Sequence, residues 1–561
     1  MPKGKKRTIS ASQERRTSTQ RKKVCKLRWR TQFSHKGPRF PSPYRPIGAQ
    51  FVYNGIPKKL APETEEVAVL YARYLSGKRK TKRIEEKLQQ NFFNDWRELM
   101  TARERSEITD FKLCDFSQLV SKLEEIAEAK KRLPKEEREI LKKERQLAAD
   151  QYKTVRVDSK QELVNNYTVE PPGLYMGRGK DNANIGRVKR RIQPEDIIIN
   201  TDEKTKVEAP PNHNWKAVIH NRSVMWLASW KDVISGNPKY IQLHSSSSIK
   251  NERDSQKFLT ARQLKQEIGR VRAQYEKDLK SGDEAISQTA TAVYLIDKFA
   301  LRAGNEKPEG ATDTVGCCSL RVEHVSFLNR GKDQKKDLEG IRLNFLGKDS
   351  IPYRKDLLVS RAVCDNLKDF VKEKKKNGFL FDMIDTKRVN EYLARLMPDL
   401  TAKVFRTFRA SQFFHEKLEE YSRFHLRKDK DAAQDVRMKV IVHKKANLAV
   451  AQLLNHQTLS KPIGKGTAIK KQEKKLKAAE DKLESLTTRS DKHKQAKVKR
   501  DILKEELDLK QQLRNYALGT SKANYIDPTL TVDWCQKYDI PIEKVYSKTQ
   551  REKFRWALVD L

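Results

Sequence analysis

The sequence predicts an α+β, multidomain protein: a mixed α/β N-terminal lobe, a mainly α-helical middle region with a β-hairpin, an antiparallel coiled-coil linker and a small helical C-terminal domain. Three observations carry this. Residues 150–248 carry short strand-like runs, such as Ile197-Ile198-Ile199 and Val224-Met225-Trp226-Leu227, which is the texture of strands. Residues 249–461 repeat apolar positions at helical spacing instead. Between Gly466 and Gly519 there is no Gly or Pro, while Ile469, Leu476 and Leu483 fall seven residues apart and Ile502, Leu509 and Leu513 follow a polar break at Thr487-Thr488-Arg489-Ser490-Asp491.

The first 36 residues carry 13 Lys/Arg against one acid, Glu14, and few apolar side chains, which predicts a disordered basic tail over residues 1–34. Lys3-Gly4-Lys5-Lys6-Arg7 and Arg21-Lys22-Lys23 have the form of nuclear-localisation clusters and equally of a non-specific nucleic-acid arm. Globular texture begins at His35. Helical spacing predicts helices over Glu65 to Leu75 and Glu85 to Met100, the second with Phe92, Phe93, Trp96 and Leu99 on its core side. A charged helix over Leu119 to Arg145 should break at Pro134.

Further along, Val293, Ile296 and Ala300 share a helix face, with Gly304 as the expected C-cap and Arg302 at the helix end. Ser319 to Val325 and Ile341 to Phe345 read as two strands joined through the polar Asn329 to Asp333 region, with Lys348 in a Gly-Lys-Asp turn after the second. Thr401 to Ser411 opens another helix. The predicted linker, residues 462–514, holds 16 Lys/Arg and nine acids, a solvated basic element.

Charge sets the partner class. Lys plus Arg exceed Asp plus Glu by 43 in 561 residues, and an excess spread so widely calls for a polyanion, with nucleic acid first. A basic RNA-associated protein fits the composition as well, so motifs must separate the two. The six cysteines form no CxxC and no spacing with histidines suited to zinc, so neither a metal site nor a disulfide framework is expected, and a reducing compartment follows. With no run of 18 apolar residues and no apolar signal region, a soluble intracellular protein is expected.

The chemistry is concentrated near the C-terminus. Gly519-Thr520-Ser521-Lys522-Ala523-Asn524-Tyr525-Ile526-Asp527-Pro528 places a tyrosine just before a helix-starting Asp-Pro and near a lysine, a setting for an exposed, activated phenol. Alone among 17 tyrosines it is a weak signal. That stretch, with Trp534-Cys535-Gln536-Lys537-Tyr538 and Lys548-Thr549-Gln550-Arg551-Glu552-Lys553-Phe554 after it, resembles the C-terminal domain of the eukaryotic type IB DNA topoisomerases. Four further segments resemble that family in order: Phe299-Ala300-Leu301-Arg302-Ala303-Gly304-Asn305-Glu306-Lys307, Phe345-Leu346-Gly347-Lys348-Asp349-Ser350, Lys403-Val404-Phe405-Arg406-Thr407-Phe408 and Leu454-Asn455-His456-Gln457. The resemblance runs from about residue 35 to the C-terminus.

The resemblance implies a DNA-clamp core over residues 35–248 with an inserted cap at about 47–133. It further implies a catalytic core of the tyrosine-recombinase/type IB kind over 249–461, the linker, and a domain over 515–561 bearing the nucleophile. The implied catalytic set is Tyr525, Arg302, Lys348, Arg406 and His456, and the reaction is relaxation of positive and negative supercoils through a 3′-phosphotyrosyl link. Implied DNA contacts are Arg178, Lys189, Arg190, Arg191, Trp226, Lys239, Tyr240, Asn305, Lys307, Asp349, Thr401, Lys403, Thr520 and Asn524. The chain departs from the family pattern at Met176, Phe408, Ala523 and Thr529, none of them in the implied catalytic set.

Physical chemistry agrees with those residue types. Attack on a phosphodiester builds charge on equatorial oxygens, which arginine forks and a histidine N–H can meet, while a lysine can protonate the leaving oxygen. Gly464-Lys465-Gly466-Thr467 is no Walker motif and no acidic cluster of the metal-dependent kind occurs, so neither a nucleotide nor a metal cofactor is expected. The expected partner is double-stranded DNA, bound by a monomer in the nucleus or nucleolus alongside replication, transcription or chromatin factors. A tyrosine recombinase shares the five-residue chemistry but lacks the N-terminal clamp and linker. A non-catalytic DNA-clamping scaffold predicts loss of at least one of the five, and all are present.

Overall fold

Phe92 and Trp96, one helical turn apart, are both fully buried, and around them the first of two compact units assembles. The computed structural model describes residues 28–77, 82–176, 183–305, 313–328, 337–427, 435–457, 465–488 and 490–558. Of these, residues up to 250 form one unit, and 251–305 with 313–558 form the other. The tail expected over residues 1–27, with its basic clusters and Cys25, lies outside the described residues.

In the first unit, helix α1 (Pro62–Ser76) starts with Pro62 in its first turn, where a missing N–H costs nothing, and carries Glu63 and Glu65 at its positive end. It packs with α2 (Lys82–Leu99) and α4 (Ser117–Arg132). Glu104 of α3 (Ala102–Glu107) accepts from the Ala61 amide and the Thr64 hydroxyl at the start of α1, and α5 (Lys135–Asp150), divided from α4 at Pro134 as expected, is exposed along most of its length. The Trp96 indole donates to the Thr64 carbonyl at 2.9 Å, so its buried N–H is satisfied. Burying an aromatic of this size contributes on the order of 2–3 kcal/mol.

The strands of this unit are β1 (Phe33–Ser34), β2 (Phe51–Tyr53), β3 (Ile56–Lys58), β4 (Cys114–Asp115), β5 (Thr154–Val157), β6 (Lys160–Asn165), β7 (Gly173–Leu174), β8 (Val188–Lys189), β9 (Ile198–Asn200), β10 (Ala217–Ile219), β11 (Trp226–Lys231) and β12 (Pro238–Leu243). Seven of them form one sheet in the order β1-β5-β6-β12-β11-β9-β10, mostly antiparallel, with β9 and β10 parallel. The expectation of disorder to residue 34 fails for 28–34. Trp29 and Phe33 are core residues, and Asp158 accepts the amides of Arg30, Thr31 and Gln32 while Asp202 accepts that of Phe33. Local charge hid a segment that distant carboxylates hold in place.

The second unit holds α6 (Ser248–Asp278), α7 (Glu284–Phe299), a sheet of β13 (Val325–Leu328), β14 (Leu338–Gly347) and β15 (Ile351–Ser360), then α8 (Arg361–Val371), α9 (Thr386–Leu396), α10 (Ala402–Arg427), α11 (Val436–Leu453), α12 (Lys465–Glu484), α13 (Asp491–Gln512), α14 (Leu518–Asn524), α15 (Pro528–Lys537) and α16 (Lys548–Lys553). Helix α7 is capped at its start by Asp283, whose carboxylate accepts two amides. It ends earlier than expected: the residue that closes it is Ala300, left-handed with φ 52°, and Gly304, with φ 81°, lies four residues further on. Gly304 has another role. A Cβ on it would lie 2.4 Å from the Gly316 Cα, so the two glycines let backbones interlock.

The strand expectation also needs correction. Cys317–Ser319 and Val322–His324 form short 3-10 turns, the first strand is Val325–Leu328, and the strand pairing with β14 over its whole length is β15. Pro352, Asp356 and the basic side chains of β15 masked its alternation. The loop over 329–336 lies outside the described residues. In the α12 and α13 pair, Gln472 and Ala479 are buried on α12 and Leu503 on α13, while Ile502 and Leu509 of α13 join the core cluster of α10 and α11. Gln472, 3 % exposed, donates to the Leu503 carbonyl and Glu506 and accepts from Lys510, a buried polar knot that fixes one antiparallel register.

Candidate active site

The site is built on the second unit. Helix α14 ends at Asn524, Tyr525 is its C-cap, and Asp527 caps α15, accepting the Thr529 amide and a two-pronged pair from Arg262 of α6. The Ser411 hydroxyl on α10 donates to the Tyr525 carbonyl and accepts the Asp527 amide, at 3.1 and 3.0 Å. Lys257 of α6 and Lys553 of α16 donate to the carbonyls of Asn524 and Ala523. The last carbonyls of a short helix are thus met by cations, which favours its negative end and fixes the tyrosine backbone. Lys257, Ser411 and Lys553 were missed by sequence reasoning, since each contacts backbone from a distant element and carries no local pattern.

The phenol is buried, 8 % exposed, which corrects the expectation of an exposed one. Arg302 Nη1 donates to the Tyr525 oxygen at 3.3 Å, and the Arg406 guanidinium lies 5.2 Å from the centre of the tyrosine ring. The His456 ring centre is 5.5 Å from that of Tyr525. Arg302, Lys348, Arg406, His456 and Thr520 line one pocket, with Asp349, Tyr353 and Gln457 on its wall. Lys348 and Asp349 sit in the turn joining β14 to β15, where Asp349 has φ 65°.

Arg406 is 5 % exposed and donates to the carbonyls of Ala300 and, at 3.0 Å, Leu454. One side chain therefore ties the segment of Arg302 to the segment of His456. Both ring nitrogens of His456, Nε of Arg406 and the Tyr353 hydroxyl are buried without a hydrogen-bond partner. Orphaned donors converging on a cationic pocket call for an anion with several acceptor oxygens.

Electrostatics follow from this packing. Burial pushes the Tyr525 phenol up, but the charges and hydrogen bonds of Arg406 and Arg302 outweigh it and hold it below its ordinary range. Burial and then Arg406, Arg302 and Lys348 push His456 down to about 3, so it is a neutral imidazole at physiological pH. Burial and Arg302 bring Arg406 down to about 10, which leaves it charged there. Among the described residues no group of three His, Cys, Asp or Glu side chains is placed to hold a metal ion, and no helix is long and apolar enough to cross a membrane. Among the described residues no two cysteines form a disulfide.

Of the other sequence-derived residues, Asn524 and Thr520 lie on α14, with Asn524 Nδ2 donating to the Thr520 carbonyl. Thr401 and Lys403 lie at the start of α10, and Asn305 accepts from Thr386. Lys189, Arg190, Arg191, Trp226, Lys239 and Tyr240 belong to the first unit. There the cations pair with carboxylates: Lys189 with Glu170, Arg190 with Asp196, Arg191 with Glu66 and Lys239 with Asp232. Trp226 and Tyr240 form a ring pair at 5.8 Å on β11 and β12. Arg178 and Lys307 lie outside the described residues.

Comparison with known proteins adds the family. Residues 27–243 match the eukaryotic DNA topoisomerase I DNA binding fragment, 246–490 its catalytic core, and 497–560 the C-terminal topoisomerase domain. The chain is 42 % identical over 561 residues to DNA topoisomerase 1 of Caenorhabditis elegans, covering 96 % of this chain and 67 % of that one. It is 41 % identical over 558 residues to DNA topoisomerase 1 of Homo sapiens, covering 95 % and 71 %. With DNA topoisomerase I, mitochondrial, of Rattus norvegicus it shares 41 % over 556 residues, covering 95 % and 91 %. On matches that extend across both structural units and the segment of Tyr525, the chain belongs to the eukaryotic DNA topoisomerase I family of DNA-binding isomerases.

Proposed function

We propose that the protein relaxes positive and negative supercoils by cutting one DNA strand at a time through a covalent bond to Tyr525. The observation that carries this reading is the convergence of Arg302, Arg406 and a neutral, unpartnered His456 on one buried phenol. Tyr525 gives up its proton to solvent, the phenolate being favoured by Arg406 and Arg302, and its oxygen attacks the scissile phosphorus. The P–O5′ bond breaks, and the 3′ end stays attached as a phosphotyrosine ester. Arg302 and Arg406 present fixed forks to the equatorial oxygens, and His456 adds a neutral N–H. Lys348 gives a proton to the departing 5′ oxygen.

Religation reverses these steps, so the ester stores the bond energy and neither nucleotide nor metal is needed. Between the two, the cut strand rotates about its partner. Both units engage duplex DNA through their basic residues, mostly at phosphates, so sequence preference is weak. In this reading residues 35–248 are the DNA-binding core, 249–461 the catalytic core, 462–514 a linker and 515–561 the nucleophile domain. The protein acts as a monomer in the nucleus, in support of replication and transcription.

The test is relaxation of a supercoiled plasmid in EDTA without nucleotide. Wild type should relax both signs and trap a protein–DNA adduct, and Tyr525→Phe should do neither. Equal relaxation by both would assign the chemistry elsewhere, and tight binding by both without relaxation would favour a scaffold.

A further inference from the structure

Strand β15 and the turn that carries His456 are tied by side chains that the reaction itself does not use. The Lys355 ammonium on β15 donates to the carbonyls of Gln452 and Leu453, at 3.1 and 3.5 Å, at the C-terminal end of α11. The Gln452 carbonyl also accepts the Asn455 amide at 3.2 Å in the closing turn of the helix, so the Lys355 ammonium joins a helix end that the turn already shares. Three residues back along the same strand, the Pro352 carbonyl accepts from Asn455 Nδ2 at 3.1 Å. Asn455 is the left-handed residue of the turn, with φ 56°, and Gln457 Nε2 donates to its side chain. The next carbonyl, that of Leu454, is held by Arg406.

The other end of the tie is the turn bearing Lys348. Strands β14 and β15 stay in register up to Gly347 and Ile351, immediately around that turn. Lys355 is half-buried, its ammonium lies 5.2 Å from the centre of the Tyr353 ring, and burial holds it below the ordinary lysine range. A side chain fixed in this way contributes orientation rather than surface charge. His456 has no hydrogen bond to either ring nitrogen, so the aim of its ring depends on the backbone that carries it.

We propose that Lys355 is a positioning residue, the link through which the hairpin carrying Lys348 sets the His456 turn for the phosphate. The inference rests on the reading of His456 as a donor to that phosphate. Loss of the link leaves DNA binding intact and slows bond cleavage, because the ring is displaced while the cationic pocket remains.

The experiment compares wild type, Lys355→Met and Lys355→Arg. Methionine keeps the stem and loses the donors, and arginine restores donors. Amide exchange by mass spectrometry over residues 449–457 should quicken on the order of tenfold in Lys355→Met and return toward wild type in Lys355→Arg. Single-turnover cleavage of an oligonucleotide duplex should fall on the order of tenfold in Lys355→Met at unchanged duplex affinity, and the methionine change should add nothing in a His456→Asn background. Unchanged exchange over 449–457 overturns the proposal. So do effects of Lys355→Met and His456→Asn that multiply, or a loss of duplex affinity without change in the turn. A wild type that forms no DNA adduct sinks the proposed function, while the exchange comparison still decides for or against Lys355.

Discussion

Arg302 reaches across 223 residues of chain to place Nη1 3.3 Å from the Tyr525 phenol oxygen. That contact favours the phenolate, and with Arg406 it outweighs the opposing effect of burial. The cleavage rate of wild type should therefore rise with pH along a limb that lies below the ordinary tyrosine value of 10.0. Arg302→Gln should move that limb upward and cost about 10²- to 10³-fold in rate, the usual loss of one fixed donor to a developing oxyanion. Single-turnover cleavage across pH measures both, and an unshifted limb would show that Arg302 does not act on the phenol.

Arg406 is held by the carbonyls of Ala300 and Leu454. Lysine keeps the charge but has no fork to span both. Arg406→Lys should lower cleavage about 100-fold or more while duplex affinity, governed by total cationic charge, changes little. Filter binding and adduct formation on one duplex separate the two quantities. A proportional loss of binding would make Arg406 chiefly a DNA contact.

The glycine interlock gives a stability prediction with an internal control. A Cβ on Gly316 would sit 2.4 Å from the Gly304 Cα and 2.9 Å from the Arg302 carbonyl, backbone atoms that cannot swing aside. Gly316→Ala should destabilise by about 1–3 kcal/mol and slow cleavage by shifting Arg302. Gly269, inside α6 with nothing within 4 Å of its added Cβ, should tolerate alanine and gain about 0.5–1 kcal/mol. Melting curves of the two variants should move in opposite directions.

Acid should weaken the fold at its buried histidines. His443, wholly enclosed against Phe414 and Trp534, and His456 are both pushed down to about 3, by burial first and nearby cations second. Burial also lowers His35, to about 4. Each folded value lies below the ordinary 6.5, so the unfolded chain takes up the proton first. Their stabilisation is complete above about pH 6.5 and is lost as pH falls toward the folded values. The slope is about 1.4 kcal/mol per pH unit per group, or roughly 2 kcal/mol each between pH 7 and 5. Melting temperatures at the two pH values should show the decline, and His443→Asn should flatten it; a flat wild-type profile would refute the assignment.

The sequence determined what depends on near neighbours. Helices α1, α2, α4 and α5 follow from apolar spacing and from Pro134, and the segments holding Arg302, Lys348, Arg406, His456 and Tyr525 could be picked out because each is a contiguous run of residues. Only the tertiary structure decided what depends on residues far apart in the chain. Trp29 and Phe33 sit in a stretch that reads as a charged tail, yet they enter the core because Asp158 and Asp202 satisfy its amides. Helix α7 closes at a left-handed Ala300, four residues before the glycine, and Gly304 packs its backbone against Gly316. Gln472 lies in the seam of α12 and α13 because partners on the opposite helix meet its amide. The burial of Tyr525 and the grip of Lys257, Ser411 and Lys553 on its backbone are of the same kind. Side-chain contacts to remote backbone carry no periodicity, so only the folded chain brings donor and acceptor together.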